Sequence, residues 1–197
     1  MNAFAETPTL TRDGVRLEQL SPSHAPDLAD AVADGELWRT WYTRIPAPDD
    51  VPAEIERRRQ QQRAGVCAPW AVIDAPSGRA VGMTSYLHID ATHRRVEIGS
   101  TWLARSVQGT GINAAAKLLL LTRAFEELGC IAVELRTHWH NHRSRAAIAR
   151  LGAKQDGVLR NHSVMPDGSL RDTVVFSILD TEWPAVRTGL QHRLRPA

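Results

Sequence analysis

Gln108-Gly109-Thr110-Gly111-Ile112-Asn113 joins two segments of opposite character. Before it, Val96-Glu97-Ile98-Gly99-Ser100-Thr101-Trp102-Leu103 alternates as a strand does and ends at Ala104-Arg105. After it come Ala114-Ala115-Ala116-Lys117 and then leucines at 118, 119, 120 and 121. Ala114, Leu118, Leu121, Phe125 and Leu128 recur at helical spacing, and Gly129 is a natural stop. The pattern predicts a strand, a tight glycine loop and a helix. The first turn of a helix has backbone N–H groups without internal partners, and the helix dipole adds partial positive charge there. Gly109 and Gly111 would let an anion approach that backbone closely. A glycine pair between a strand and a helix is also often only a turn, so the loop by itself leaves both readings open.

Outward from the loop, the chain reads as one mixed α/β domain. Residues 1–9 form a loose lead-in, Val15 to Leu20 a first strand, and Ser21-Pro22-Ser23-His24 a helix entry. Leu28, Ala31, Val32 and Leu37 give a helical stripe, followed by the aromatic run Trp38-Arg39-Thr40-Trp41-Tyr42. Ile45 to Pro52 is a loop rich in proline and aspartate. Ala53 to Arg63 is a polar helix carrying Arg57, Arg58, Arg59 and Arg63, either a solvated face or a basic rim for an acidic acceptor or the CoA 3′-phosphate. Ala68 to Asp74 and Ala80 to Ile89 pair as a hairpin through Ala75-Pro76-Ser77-Gly78. Ile131 to Arg136 is a buried strand, Asn141 opens a helix that runs to Leu151, and strands follow from Ala153 and over Thr173 to Leu179, turning at Pro166-Asp167-Gly168. Thr181 to Leu194 is a last amphipathic helix in a C-terminal helix and tail over 181–197. A single domain over 1–197 accommodates all of it.

Composition excludes several classes. Of 197 residues, 43% are apolar and 23% charged, as in an ordinary soluble domain. The formal charge of +2 gives no bulk electrostatic case for nucleic acid. No apolar run reaches the length of a membrane span, and the N-terminus lacks the basic flank and apolar core of a signal peptide. Cys67 and Cys130 fit no metal spacing and read as reduced thiols of a cytoplasmic protein.

Two phosphate-loop families fail on the residues. The loop of nucleotide hydrolases needs Lys and then Ser or Thr after its last glycine, where this chain has Ile112-Asn113. The dinucleotide fingerprint sits in an early strand-helix-strand unit with an acid about twenty residues on, and neither condition is met.

From Glu97 to Gly152 the chain resembles the GNAT N-acetyltransferases, in the branch that acetylates ribosomal-protein N-termini (the RimJ/RimL type). That family's pyrophosphate loop reads Gln or Arg, two residues, Gly, one residue, then Gly or Ala. Gln108 and Gly111 match it and Asn113 departs. The second signature is an Asn after the next strand, Ser three residues later, and a helix ending Leu-Gly. Asn141, Ser144 and Leu151-Gly152 match it.

The resemblance implies an α+β fold: a central, mostly antiparallel sheet with a splayed parallel strand pair and helices on both faces. It implies acetyl-CoA as cosubstrate, with no metal, and a primary amine as acceptor, whether a protein N-terminus, an amino acid or a small amine. Cofactor contacts would fall to Gln108, Gly109, Thr110, Gly111, Ile112 and Asn113, to the backbone of Trp102 and Leu103, and to Asn141. Asn141 could instead merely cap its helix. Ser144 is the expected general acid toward the thiolate, with helix capping as its alternative. Ile148 occupies the place where many members carry a Tyr acid. Glu97 is the expected general base, since an amine must lose a proton to attack. Glu97, Gly99 and Thr101 share one strand face, directed at the acceptor side or at solvent. His138, His140 and His142 alternate, but a helix starting at Asn141 turns His142 away, so a pocket wall or a second base suits His138 or His140 better than zinc, with satisfied polar groups as the alternative. Trp38, Trp41 and Tyr42 are expected to wall the acceptor pocket, or else to be core. Two other readings stay open: an acyl-CoA-sensing module without turnover, and a longer or dicarboxylic donor such as succinyl-CoA, for which residues 57–59 supply arginines. Neither nucleic acid nor a membrane is an expected partner, and the last hairpin and helix could pair two copies as a homodimer.

Overall fold

The seven expected strands and one more, β1 (Leu10–Arg12), form a single eight-stranded sheet in a computed structural model that describes residues 2–12 and 14–195. In chain order they are β2 (Val15–Gln19), β3 (Ala68–Asp74), β4 (Ala80–Asp90), β5 (Arg95–Leu103), β6 (Ala132–His138), β7 (Lys154–Val164) and β8 (Leu170–Leu179). Spatial order is β1-β2-β3-β4-β5-β6-β8-β7, antiparallel except for β5 and β6.

The helices divide between the two faces. Leu28, Ala31 and Val32 of α1 (Ala25–Ala33) and Val51 and Ile55 of α2 (Val51–Arg63) pack on Ala71, Ile73, Met83 and Trp102. The opposite face, with Trp70, Val72, Tyr86, Ile98, Val133, Leu135 and Phe176, is covered by α3 (Ile112–Thr122), α4 (His142–Arg150) and α5 (Trp183–Arg193). Leu118, Leu120 and Leu121 of α3 are essentially buried there. Each contributes about 2 kcal/mol by leaving water. α3 runs on through a π-helical turn, Arg123–Glu127, toward Gly129.

Several boundaries differ from the sequence reading. The first helical stripe ends at Ala33, because Gly35 and Glu36 take positive φ values of 88° and 49°, so Leu37 lies in a separate 3-10 turn. The loop expected through Pro52 gives way earlier: α2 begins at Val51, with Pro52 in its first turn, where a missing N–H costs nothing. The lead-in is held down: Gln62 Nε2 donates to Ala5 O and Thr7 Oγ1, and Trp70 Nε1 to Pro8 O.

Two features of β5 shape the site. Its parallel pairing with β6 covers only Arg95↔Ala132 to Glu97↔Glu134, although the strands run on to Leu103 and His138. The expected splayed pair is therefore present. Beyond it, β4 pairs Ser85 with Gly99 but Met83 with Trp102, so Ser100 and Thr101 together oppose Thr84. Ser100 holds φ +47° in this bulge. An extra residue bends a strand and reverses its alternation. Thr101 accordingly meets Lys117 of α3, while Glu97 lies on the face of α1 and α2. Of the face expected to be shared by Glu97, Gly99 and Thr101, the first two keep it and Thr101 leaves it.

Candidate active site

The glycine loop delivers α3 with its first-turn amides uncapped. Gly111 is the N-cap residue at φ +98° and supplies no side chain to those N–H groups, and Gly109 stands at φ +88°. A Cβ at Gly109 would meet nothing within 4 Å, and one at Gly111 only Leu194 Cδ2 at 3.8 Å. The left-handed dihedrals, not crowding, call for glycine. Gln108 turns back: its Nε2 donates to Leu103 O at 2.7 Å, leaving its buried Oε1 without a partner. Thr110 Oγ1 donates to Val107 O at 2.7 Å. Ile112 packs into the core and Asn113 is half-buried.

Leu103 closes one side of the gap between β5 and β6. Ala104 N donates to Val81 O across the neighbouring Gly82↔Leu103 pair, so alternation turns the Leu103 amide away from β4 and toward the gap. The same alternation sends Trp102, in register with Met83, back into the sheet, and its indole is buried. Across the gap, Asn141 Oδ1 accepts the Ser144 N–H at 3.0 Å and caps α4. Ser144 is half-buried, one turn into that helix, and Ile148 is core.

The other face of β5, β6 and β8 carries a polar strip. Glu97 stands beside Glu134 in the parallel register, Arg136 and His138 follow on β6, and Thr173 and Arg171 lie on β8. Glu97 is 6% exposed, and its Oε2 has no hydrogen-bond partner. His88 Nε2 lies 3.5 Å from it and Arg136 Nε 3.4 Å. Burial, opposed mainly by Arg136, pushes the carboxyl up to about 7. A Cβ at Gly99 would lie 2.5 Å from Glu97 Oε1 and 2.9 Å from Leu87 Cδ1, so glycine makes room for the carboxylate.

Three of the four residues expected at an acceptor pocket converge. Trp41 meets His138 edge-on with centroids 5.3 Å apart, and Tyr42 lies 6.2 Å from the same imidazole. Trp41 is 54% exposed. Trp38 instead packs against the core beneath α1 and α2. His138 Nδ1 accepts the His140 N–H at 3.1 Å, and its buried Nε2 has no partner. Burial, then the Arg171 charge, lowers the pKa of this imidazole. Among the described residues no three His, Cys, Asp or Glu side chains gather as metal ligands, and no helix is long and apolar enough to cross a membrane.

Uncapped amides at a helix start, an amide turned into a parted strand pair and a buried carboxylate beyond it suit a diphosphate, a thioester and an amine in turn. Residues 15–154 match the acetyltransferase (GNAT) domain family. The chain belongs to this family. It is an acyltransferase of the GNAT fold. It is 37% identical over 176 residues to the Bacillus subtilis protein named "Putative ribosomal N-acetyltransferase YdaF", covering 86% of this chain and 93% of that one. A GCN5-related N-acetyltransferase from Brucella melitensis superposes with a TM-score of 0.86 at 28% identity, over 97% of this chain and 87% of the other. Mycobacterium smegmatis RimJ in complex with CoA-disulfide shares the fold, with a TM-score of 0.78 at 22% identity over 95% and 93% of the two chains.

Some parts of this GNAT site escaped the sequence reading. The strand expected to be buried, β6, is two-faced: Val133 and Leu135 point to the core, while Glu134, Arg136 and His138 point to the strip. That period-two pattern was legible in the residues. Lys117 looked like one more position on α3, yet it is 5% exposed, with Nζ 2.7 Å from Thr101 Oγ1 and 3.4 Å from Thr84 Oγ1. Burial lowers its pKa to about 7, against the pull of Glu97. The arginines of α2 are internally paired: Arg57 and Arg58 with Glu54, and Arg59 and Arg63 with Glu56. Arg58 is 7% exposed and also donates to Ser100 Oγ at 2.7 Å, tying α2 to the bulge.

Proposed function

We propose that this chain transfers the acetyl group of acetyl-CoA to a primary amine by direct attack in a ternary complex, with a protein N-terminus as the acceptor, a reading supported by the "ribosomal N-acetyltransferase" in the Bacillus subtilis relative's name. The observation carrying this reading is Glu97, a buried carboxyl with a free oxygen and a pKa raised to about 7, beside the point where β5 and β6 part. A base whose pKa lies near the working pH is well matched to deprotonating an ammonium.

The first-turn amides of α3, with Gly109 and Gly111 leaving them open, would hold the diphosphate of acetyl-CoA. The Leu103 amide would receive the pantetheine arm or the thioester carbonyl, and fixed donors of this kind stabilise developing negative charge. Gln108 contributes by tying the loop to Leu103, and Asn141 by fixing the start of α4. Glu97 takes one proton from the ammonium. The freed amine forms a C–N bond at the carbonyl carbon, and the C–S bond breaks. Ser144 gives a proton to the departing thiolate, aided by the dipole of α4, and its hydroxyl is restored through solvent by the second proton that the new amide nitrogen sheds. Trp41, Tyr42 and His138 would wall the acceptor.

The experiment is thiol release from acetyl-CoA against a panel of peptides and small amines, with succinyl-CoA as a second donor. Turnover with at least one amine and preference for the acetyl donor are expected. CoA binding without turnover for any amine would replace the enzyme reading with a sensing module. The pairing of the α2 arginines with Glu54 and Glu56 removes the motive for a dicarboxylic donor.

A further inference from the structure

Two guanidinium groups at the acceptor side have no carboxylate. Arg171 is half-buried on β8, and Arg44 lies in the loop after Tyr42. Among the described residues no Asp or Glu oxygen comes within ion-pair distance of either. Arg171 Nε donates to Thr173 Oγ1 at 2.9 Å, and Arg44 Nη2 to Val164 O at 2.7 Å. Both are thereby anchored by neutral acceptors, with charge left over. The neighbouring cations differ: Arg136 and Arg95 share the Glu134 carboxylate, and Arg160 pairs with Asp172. Register brings Arg171, Arg44 and His138 together: His138 pairs with Thr173, to which Arg171 donates, and Arg44 donates to Val164, whose partner Leu170 adjoins Arg171.

His138 points the same way. Because Nδ1 accepts a backbone N–H, the neutral ring carries its proton on Nε2, and that N–H is buried with no acceptor. A buried donor left unmatched costs about 1–3 kcal/mol, and folds seldom tolerate one without a use. Arg171, Arg44 and this N–H are three donors without an anion. Glu97 Oε2, on the same strip, is an acceptor without a donor.

We infer that the acceptor carries an anionic group, a carboxylate or phosphate, close to its reacting amine, with the anion received by Arg171, Arg44 and His138 and the amine by Glu97. This rests on the transfer reading proposed above. Both the α-carboxylate of a free amino acid and an acidic side chain at a peptide N-terminus have this chemistry.

Two matched pairs separate the sources: alanine against alaninamide, and the tripeptide amide Asp-Ala-Ala against Asn-Ala-Ala. The anionic member of at least one pair should show a kcat/KM higher by about 10- to 100-fold, the range of a charge-assisted hydrogen bond. Arg171→Met should collapse that preference to under about threefold. Because Arg171 also favours the Glu97 anion, the pairs are compared above the acid limb, where the loss should fall on the anionic member and leave the KM for acetyl-CoA unchanged, and Arg171→Lys should restore part of the preference. Equal rates within both pairs, or equal loss for both members in Arg171→Met, would overturn the inference while leaving acetyl transfer intact. If no amine is turned over, calorimetry of the same four compounds with the CoA-loaded protein decides. Tighter binding of an anionic member that is lost in Arg171→Met upholds the subsite without transfer. No binding, or binding blind to charge, overturns it.

Discussion

Arg136 Nε lies 3.4 Å from Glu97 Oε2 without hydrogen-bonding to it, because Glu134 holds that guanidinium through Nε and Nη2 at 3.0 and 2.7 Å. Glu97 thus has a counter-charge nearby and no direct partner. The charge keeps ionisation within reach, burial keeps it reluctant, and the two together set the carboxyl near 7.

The rate should follow that ionisation. Below about 7 Glu97 is protonated and cannot accept a proton, so kcat/KM should rise with pH through that value. Glu97→Gln should lower kcat/KM by about 10²- to 10⁴-fold and abolish the acid limb. A limb that persists in Glu97→Gln assigns the base elsewhere. Linkage has the opposite sign for stability: the folded pKa exceeds the unfolded one, so unfolding free energy should fall as pH rises from 4.5 to about 7.

Gly99→Ala probes the same carboxylate through its neighbour. The new Cβ would meet Glu97 Oε1 and Leu87 Cδ1, and the side-chain tips must shift. The expected result is a loss of about tenfold or more in kcat, as slight misplacement of a catalytic group gives, with the KM for acetyl-CoA unchanged and a folded protein by circular dichroism. Unaltered kcat would mean that the position of Glu97 does not matter to the rate.

Lys117→Met should stabilise the fold. A buried ammonium without a carboxylate partner is expensive, and a flexible apolar chain of similar size relieves it by about 1–4 kcal/mol. Thr84 and Thr101 keep each other as partners at 2.8 Å. The folded pKa of Lys117 is depressed, so wild-type stability should rise with pH between about 7 and 10.5, and the variant should lack that rise. Lys117 also favours the Glu97 anion, so the acid limb should move to higher pH in the variant. Denaturant titrations across pH, with rate profiles, check both. A destabilised variant with an unmoved limb would count against this account.

Trp41 and Trp38 should separate binding from stability. Trp41→Ala should raise the acceptor KM about three- to tenfold with little change in melting temperature, because the ring is exposed and edge-on to His138. Trp38→Ala should cost about 1–3 kcal/mol of stability through the lost core contacts. Steady-state kinetics and thermal melts distinguish the two.

Ser144→Ala should lower kcat more than acetyl-CoA affinity, and by about tenfold at most, since a thiolate leaves readily. The Ser144 N–H remains capped by Asn141 in that variant. Asn141→Ala should instead lose about 1 kcal/mol of helix stability. Unchanged kcat in Ser144→Ala would remove its hydroxyl from the reaction.

Strand and helix periods, proline and glycine stops and the Asn141 cap act within about ten residues, so element order and the glycine loop could be read directly from the chain. The Asn–Ser signature was legible for the same reason. Register is different, because it depends on which distant residue stands opposite. One bulge at Ser100 reversed the side on which Thr101 falls, and nothing within β5 announced it. Trp38 and Trp41 are three positions apart with the same chemistry, and only the packing of α1 and α2 sends one into the core and leaves the other at His138. The near-neutral pKa of Glu97 is likewise a tertiary product. It comes from burial and from charges on β6, brought beside a carboxylate that in the extended chain would face water.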